Sequence, residues 1–157
     1  MLNNSSIESP CGLYCGVCGI YQATQADDEK LLKIYLKIYR SLLPLHKTLT
    51  FQDLKCNGCR SDKISILCKS CSIRDCTADK NISGCHNCSE FPCTTVKEFP
   101  IPNGKKVIFR SVPYRRRHGT KAWIDSELSR YTCPKCKGML SHGTTRCRSC
   151  KTQVSGD

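Results

Sequence analysis

Six pairs of cysteines separated by two residues run through this chain: Cys15/Cys18, Cys56/Cys59, Cys68/Cys71, Cys85/Cys88, Cys133/Cys136 and Cys147/Cys150. At that spacing a tight turn can aim both sulfurs at one tetrahedral ion, while turn amides hydrogen-bond the thiolates. A disulfide framework has no reason to repeat the gap six times. Only Cys11, Cys76 and Cys93 stand outside the pairs, and all 15 cysteines are candidate metal ligands. The odd count argues further against a secreted disulfide scaffold, as does an N-terminus without a basic segment and an apolar stretch behind it. A reduced, cytoplasmic setting is expected.

Composition leaves metal as the staple. Cysteine supplies 15 of 157 residues, and the apolar fraction of 39% includes it. A conventional oily core is hard to build from what remains. The length fits one domain or two small ones. It excludes an enzyme barrel of roughly 250 residues, and no run approaches the ~20 apolar residues of a membrane span. The expected fold class is small, metal-stapled α+β. Residues 1–99 read as a cysteine-rich helix-and-loop module and residues 100–118 as a basic connector. Residues 119–157 read as a helix plus a zinc ribbon with short β-hairpins.

Local patterns fill in this plan. Residues 21–44 read as one helix, with Asp27, Asp28 and Glu29 in its first turn and Pro44 closing it. Lys30, Lys33, Lys37 and Arg40 form a basic stripe on it. A membrane-surface or partner helix would carry such a stripe, but a solvated face on a helix packed against the metal module accounts for it better. Thr50 and Asp53 form a capping box before Cys56. The pattern C-x2-C-x4-C occurs twice, at Cys68/Cys71/Cys76 and Cys85/Cys88/Cys93, and predicts two similar knuckles. Val107, Ile108 and Phe109 suggest a short strand, and residues 119–131 a helix capped by Thr120.

The last four cysteines carry the strongest signal. Two C-x2-C knuckles ten residues apart are a zinc-ribbon arrangement, although Lys137 and Lys151 stand where a knuckle often has glycine. The eight thiols of Cys56, Cys59, Cys68, Cys71, Cys76, Cys85, Cys88 and Cys93 make two four-cysteine sites, grouped either in sequence or as a cross-brace. Cys11, Cys15 and Cys18 leave a third site one ligand short, with His46 or His86 available to complete it. The expected cofactor is zinc, three to four ions. The alternative is an iron–sulfur or thiol-redox protein with a cluster at Cys11, Cys15 and Cys18. Radical chemistry on S-adenosylmethionine shares that spacing, but the chain cannot hold the barrel those enzymes need.

Charge is uneven. Residues 1–93 carry 11 Lys+Arg against 9 Asp+Glu, and residues 94–157 carry 14 against 4. Thiolates on metal shift both halves downward, leaving a slightly acidic head on a strongly basic tail. An electrostatic partner should meet the C-terminal third. Lys105, Lys106, Arg110, Arg115, Arg116 and Arg117 are the candidate nucleic-acid contacts, with Phe109, Tyr114 and Trp123 offering base stacking. The competing reading is a solvated linker with Trp123 buried against the ribbon. No Ser/His/Asp set, phosphate-binding loop or paired carboxylates are present.

The string from Cys11 to Thr24, CGLYCGVCGIYQAT, together with Cys56-Asn-Gly-Cys59, Cys71-Ser-Ile-Arg74-Asp-Cys76 and Cys88-Ser-Glu-Phe-Pro92-Cys93, resembles the small cysteine-rich proteins of domain-of-unknown-function family 3795. The likeness covers roughly residues 10–95 and includes all eleven N-terminal cysteines. Residues 119–136 look like the helix and ribbon appended to some members. The resemblance implies a cytoplasmic, zinc-binding module and brings no reaction with it. The function expected is a non-enzymatic adaptor that binds protein or nucleic acid through its basic C-terminal third.

Overall fold

The computed structural model describes residues 4–44 and 47–155. The fold is helical. Among the described residues six helices follow one another: α1 (Gly19–Gln25), α2 (Glu29–Leu42), α3 (Ile66–Lys69), α4 (Ser72–Asp79), α5 (Thr94–Lys97) and α6 (Pro102–Arg130). Short 3-10 turns lie at Asn4–Ile7, Cys15–Val17, Phe51–Leu54 and Cys85–Asn87. Among the described residues no helix is long and apolar enough to cross a membrane.

The expected α+β class is therefore corrected. Among the described residues there is no β-strand, only two isolated antiparallel bridges, Thr132 with Met139 and Arg146 with Gln153. Each bridge closes one C-terminal knuckle. The ten residues between Cys136 and Cys147 are consumed by a knuckle turn and a second turn at 141–144, where the Thr144 amide bonds the Ser141 carbonyl at 3.1 Å. No length remains for a paired ladder.

The single helix expected over 21–44 is two. Asp27 takes a left-handed φ of 48° and breaks the chain. Asp28 then caps α2, its Oδ1 accepting the Leu31 amide at 2.9 Å. Leu31, Leu32 and Leu36 are buried on α2, while Lys30, Lys33, Lys37 and Arg40 stay exposed, as a solvated face requires. The capping box at Thr50 and Asp53 is formed.

Val107, Ile108 and Phe109 are helical, not a strand. Pro102 opens α6 at its first turn, where a missing N–H costs nothing. From there Val107, Ile108, Ser111, Val112 and Arg115 are all buried, which is a helical stripe. Three residues of high strand propensity were set inside a 3.6-residue period, and burial decided the outcome.

α6 folds back on itself at Gly119. The Arg110 guanidinium pairs with the Glu127 carboxylate, with Nη2 and Oε2 3.2 Å apart. In a straight helix those residues would lie about 25 Å apart. Gly119 makes the turn with φ 84° and ψ 170°, a region in effect reserved for glycine. The two arms then clasp Glu127, which is 1% exposed and also receives the Ser111 hydroxyl at 3.4 Å.

The apolar residues form three small cores, each containing cysteine. One joins Tyr14 and Val17 to Trp123, Tyr131, Leu140, Cys133 and Cys147. A second gathers α1 and α2 residues around Leu54 and Cys56, with Cys18 packed against it. The third holds Ile73, Val96, Ile108 and Val112 around Cys11 and Cys85. Gly12 allows the first cysteine loop to press on α6. Its φ is 89°, and a Cβ there would meet Val112 Cγ2 at 3.0 Å.

Gly119→Ala tests the fold-back. Open space surrounds the added methyl, so any loss reports backbone conformation alone. We expect a destabilisation of about 1–3 kcal/mol, read as a lower denaturation midpoint; an unchanged midpoint would refute the strained turn.

Candidate metal centre

The two C-terminal knuckles are built alike. In each, the amide of the residue after the second cysteine bonds back to the carbonyl of the first: Lys137 to Cys133 and Lys151 to Cys147, both at 2.9 Å. In each, the amide of the first cysteine bonds a carbonyl beyond the turn, Cys133 to Gly138 and Cys147 to Thr152, again at 2.9 Å. Lys137 and Lys151 adopt φ of 59° and 62°. These are the two positions where the sequence has lysine in place of a knuckle glycine.

The knuckles meet sulfur to sulfur. The sulfurs of Cys133, Cys136, Cys147 and Cys150 all lie within 4.8 Å of one another. Cys133 Sγ is 3.6 Å from Cys150 Sγ, and Cys136 Sγ is 3.6 Å from Cys147 Sγ. Four thiolates on a tetrahedral ion with bonds of about 2.3 Å stand about 3.8 Å apart. The arrangement can therefore hold a metal ion with little movement. Cys133 and Cys147 belong to the first core, anchored under Trp123 and Tyr14, while Cys136 is exposed.

Local donors split the four thiols. The Thr152 hydroxyl and amide stabilise a thiolate at Cys150 and bring it down to about 6. The Cys150 amide does the same for Cys147, which lies below the usual thiol value. At Cys136 the Gly138 amide acts downward, but hydrogen bonds with Cys147 and Cys150 outweigh it and push the thiol up to about 11. Gly138 and Thr152 both sit two residues after the second cysteine of their knuckle. The spacing alone did not single them out, although a two-residue offset from each knuckle would have found both.

The eleven N-terminal cysteines do not converge in this way: among the described residues no group of three or more brings its sulfurs within 4.8 Å, apart from the C-terminal quartet. They are nonetheless neighbours. Burial raises the Cys11 thiol, with Cys71 adding to it. Burial raises Cys15 well above its ordinary value, and Cys18, Cys59 and Cys11 contribute. Cys18 is raised by burial and by Cys56. Cys59 is pushed up to about 12 by burial, Cys11 and Cys71. Cys68 is raised by burial and by Cys18, Cys56, Cys59 and Cys11. Burial and then Cys11, Cys93, Cys88 and Cys76 push Cys85 up to about 12. Crowded buried thiols stay protonated until a cation reverses the balance. All 15 cysteines are free thiols, and none is paired in a disulfide.

The doubled C-x2-C-x4-C pattern does not give two alike knuckles. Cys76 lies inside α4, whereas Cys93 caps α5. His86 is in the 3-10 turn Cys85–Asn87, with Nε2 3.5 Å from the Ser83 hydroxyl. Burial and the guanidiniums of Arg115, Arg116 and Arg60 lower it to about 4. His46 lies outside the described residues.

Of the candidate nucleic-acid contacts, several are occupied within the chain. Arg115 is 3% exposed and bonds Glu8 Oε2 and the Ser9 carbonyl, both at 3.2 Å, with its guanidinium 4.4 Å over the Trp123 ring. Arg116 holds the Cys85/Cys88 knuckle from outside, donating to the carbonyls of Cys88 at 2.7 Å, His86 at 2.9 Å and Cys85 at 3.3 Å. Arg110 holds Glu127. Lys105 donates to the Lys97 carbonyl at 3.0 Å. Lys106 and Arg117 are exposed. Lys106 lines a cleft of about 340 Å³ with Arg110 and Arg130. Trp123 is fully buried in the first core. Arg115 and Arg116 find their partners 106 and 30 positions away, beyond the reach of local spacing.

Fold and site together define a helical, cysteine-rich protein with a four-thiol group able to bind a metal ion. Residues 7–98 match the family described as "Protein of unknown function (DUF3795)", and the chain belongs to that family. The matched span includes all eleven N-terminal cysteines and ends before the quartet. No curated protein matches the chain, and no solved structure does.

The left-handed lysines give a direct test. A non-glycine residue there costs about 1–2 kcal/mol, part of which glycine returns as unfolded-state entropy. Lys137→Gly and Lys151→Gly should each raise the thermal midpoint of the metal-loaded protein, and a fall in both would contradict the knuckle geometry.

Proposed function

We propose that this chain is a non-enzymatic, multi-zinc protein whose metal ions hold its fold, and that it serves as an adaptor in a reducing compartment such as the cytoplasm. The observation that carries the reading is the convergence of four sulfurs within 4.8 Å at Cys133, Cys136, Cys147 and Cys150. An all-thiolate tetrahedral set suits zinc. Four protein ligands close the coordination sphere and leave no place for a reacting molecule, as in structural sites. The expected load is three to four ions. A structural zinc supplies about 10–16 kcal/mol of apparent binding free energy near neutral pH, against about 5–15 kcal/mol for the stability of a whole small domain. Metal therefore decides whether the chain stays folded.

The adaptor surface is the basic C-terminal third. Lys135, Lys137, Arg146, Arg148 and Lys151 are exposed around the quartet, and Lys106, Arg117 and Lys121 are exposed along α6. An anionic partner, a nucleic acid or an acidic protein surface, fits that charge.

Zinc analysis of anaerobically purified protein should find three to four ions per chain and no visible absorption. A brown protein would establish an iron–sulfur cluster in place of this reading. Stripping the metal with a chelator should abolish cooperative thermal unfolding, and a stripped chain that keeps its full unfolding transition would overturn the structural role. For the surface, the triple variant Lys106→Ala, Arg117→Ala, Lys121→Ala should weaken retention on immobilised nucleic acid at low salt. Absence of retention in the unmodified protein removes nucleic acid as the partner.

A further inference from the structure

Resting on the metal reading above, we infer that the eleven N-terminal thiols divide into four and seven: Cys76, Cys85, Cys88 and Cys93 hold one metal ion between α4 and α5. The remaining seven then form an adjoining group that carries the ligand deficit. A cavity of about 270 Å³ opens between these elements, and these four are the only cysteines in its wall. They reach it from three separate pieces of chain. Cys76 comes from the body of α4 and Cys93 from the cap of α5. Cys85 and Cys88 come from a knuckle closed by the Cys88 amide on the Cys85 carbonyl at 3.1 Å.

The surrounding contacts fix that knuckle. The Cys85 amide donates to the Pro10 carbonyl at 2.8 Å. On the outer side the Arg116 guanidinium binds the three carbonyls of Cys85, His86 and Cys88, and lies 5.8 Å from the Phe91 ring, which itself lines the cavity. At the rim the Lys80 ammonium pairs with Glu90, and both line the cavity together with Cys76 and Cys88. A cation placed there favours the thiolate state that a metal ion requires. On binding, each of the four thiols releases its proton, and the sulfurs draw in from their present separation.

Cys11 is the competitor for a place in this site, because it is buried with Cys85 in the third core, with Cys71 and Cys93 packed against them. It does not line the cavity. Its sulfur donates instead to Ser9 Oγ at 3.5 Å, and Cys71 packs against the same core. That leaves Cys11, Cys15, Cys18, Cys56, Cys59, Cys68 and Cys71 together. Cys18 and Cys56 pack together in the second core, and Cys11 and Cys71 meet in the third. Seven sulfurs are one short of two closed four-thiolate sites. The shortfall lies in this group of seven, and not at the Cys85 knuckle. His86 is then not the missing ligand of its own knuckle; its Nε2 lies 3.5 Å from the Ser83 hydroxyl.

The test is ligand mapping in the intact chain loaded with cadmium-113. Proton–cadmium correlation should join the β-protons of Cys76, Cys85, Cys88 and Cys93 to one cadmium resonance that no other cysteine shares. A second resonance should join Cys133, Cys136, Cys147 and Cys150. Coupling of Cys11 to the resonance of Cys85, or a split of Cys85 and Cys93 between two ions, overturns the division while leaving the metal reading intact. A chain that takes up no metal at any position overturns both. In a parallel measurement, Cys76→Ser/Cys93→Ser and Cys85→Ser/Cys88→Ser should each lower the zinc content by one ion, and the fourfold variant by one ion and not two. A loss of two ions in the fourfold variant refutes the shared site.

Discussion

The constraint on which this structure depends is the small amount of apolar surface available to it. Among the described residues no single core spans the fold. Three separate clusters do the packing, and each one has buried cysteine among its members, so thiol chemistry and hydrophobic packing are the same set of contacts. Removing a thiol from such a cluster opens a cavity in it. The polar contacts that bind the clusters to one another are correspondingly long-range. Arg115 ties α6 to the first residues of the chain, Arg116 ties it to the middle knuckle, and Glu127 ties its two arms together.

The basic residues of α6 show how charge can be misread when a chain is thin in apolar residues. A run of arginines looks like a surface for anions. Here Arg115 and Arg116 spend their donors on backbone carbonyls and a carboxylate, as planar guanidiniums with several fixed donors are suited to do. Lysine could not replace them at these places without losing the multiple contacts. The charge that remains outward is carried by Lys106, Arg117, Lys121 and the residues encircling the quartet.

What the sequence displayed and what it hid follow from the range of the interactions. The quartet, the capping box at Thr50, the basic face of α2 and the odd lysines of the knuckles are set by residues a few positions apart, and the sequence shows them. The fold-back at Gly119 was hidden because a lone glycine in a polar stretch has many uses. Val107 to Phe109 look like a strand over three residues, whereas the buried stripe needs nine to become visible. The β-hairpins failed for a similar reason: knuckle spacing specifies the sulfurs, and says little of how far pairing continues beyond them. The grouping of the eleven N-terminal thiols depends on which loops meet in space, and spacing is silent on that.

The core that contains Tyr14 and Val17 is completed by Trp123, Cys133, Leu140 and Cys147, from the far end of the chain. During synthesis the early cysteine loop therefore leaves the ribosome long before its packing partners exist. Until the last knuckle emerges, that loop waits with an apolar face open to solvent and sulfurs open to oxidants and stray metals. For such a nascent chain, the interval between translating residue 14 and residue 147 is a period of exposure that rapid elongation or a holding chaperone would shorten or shield.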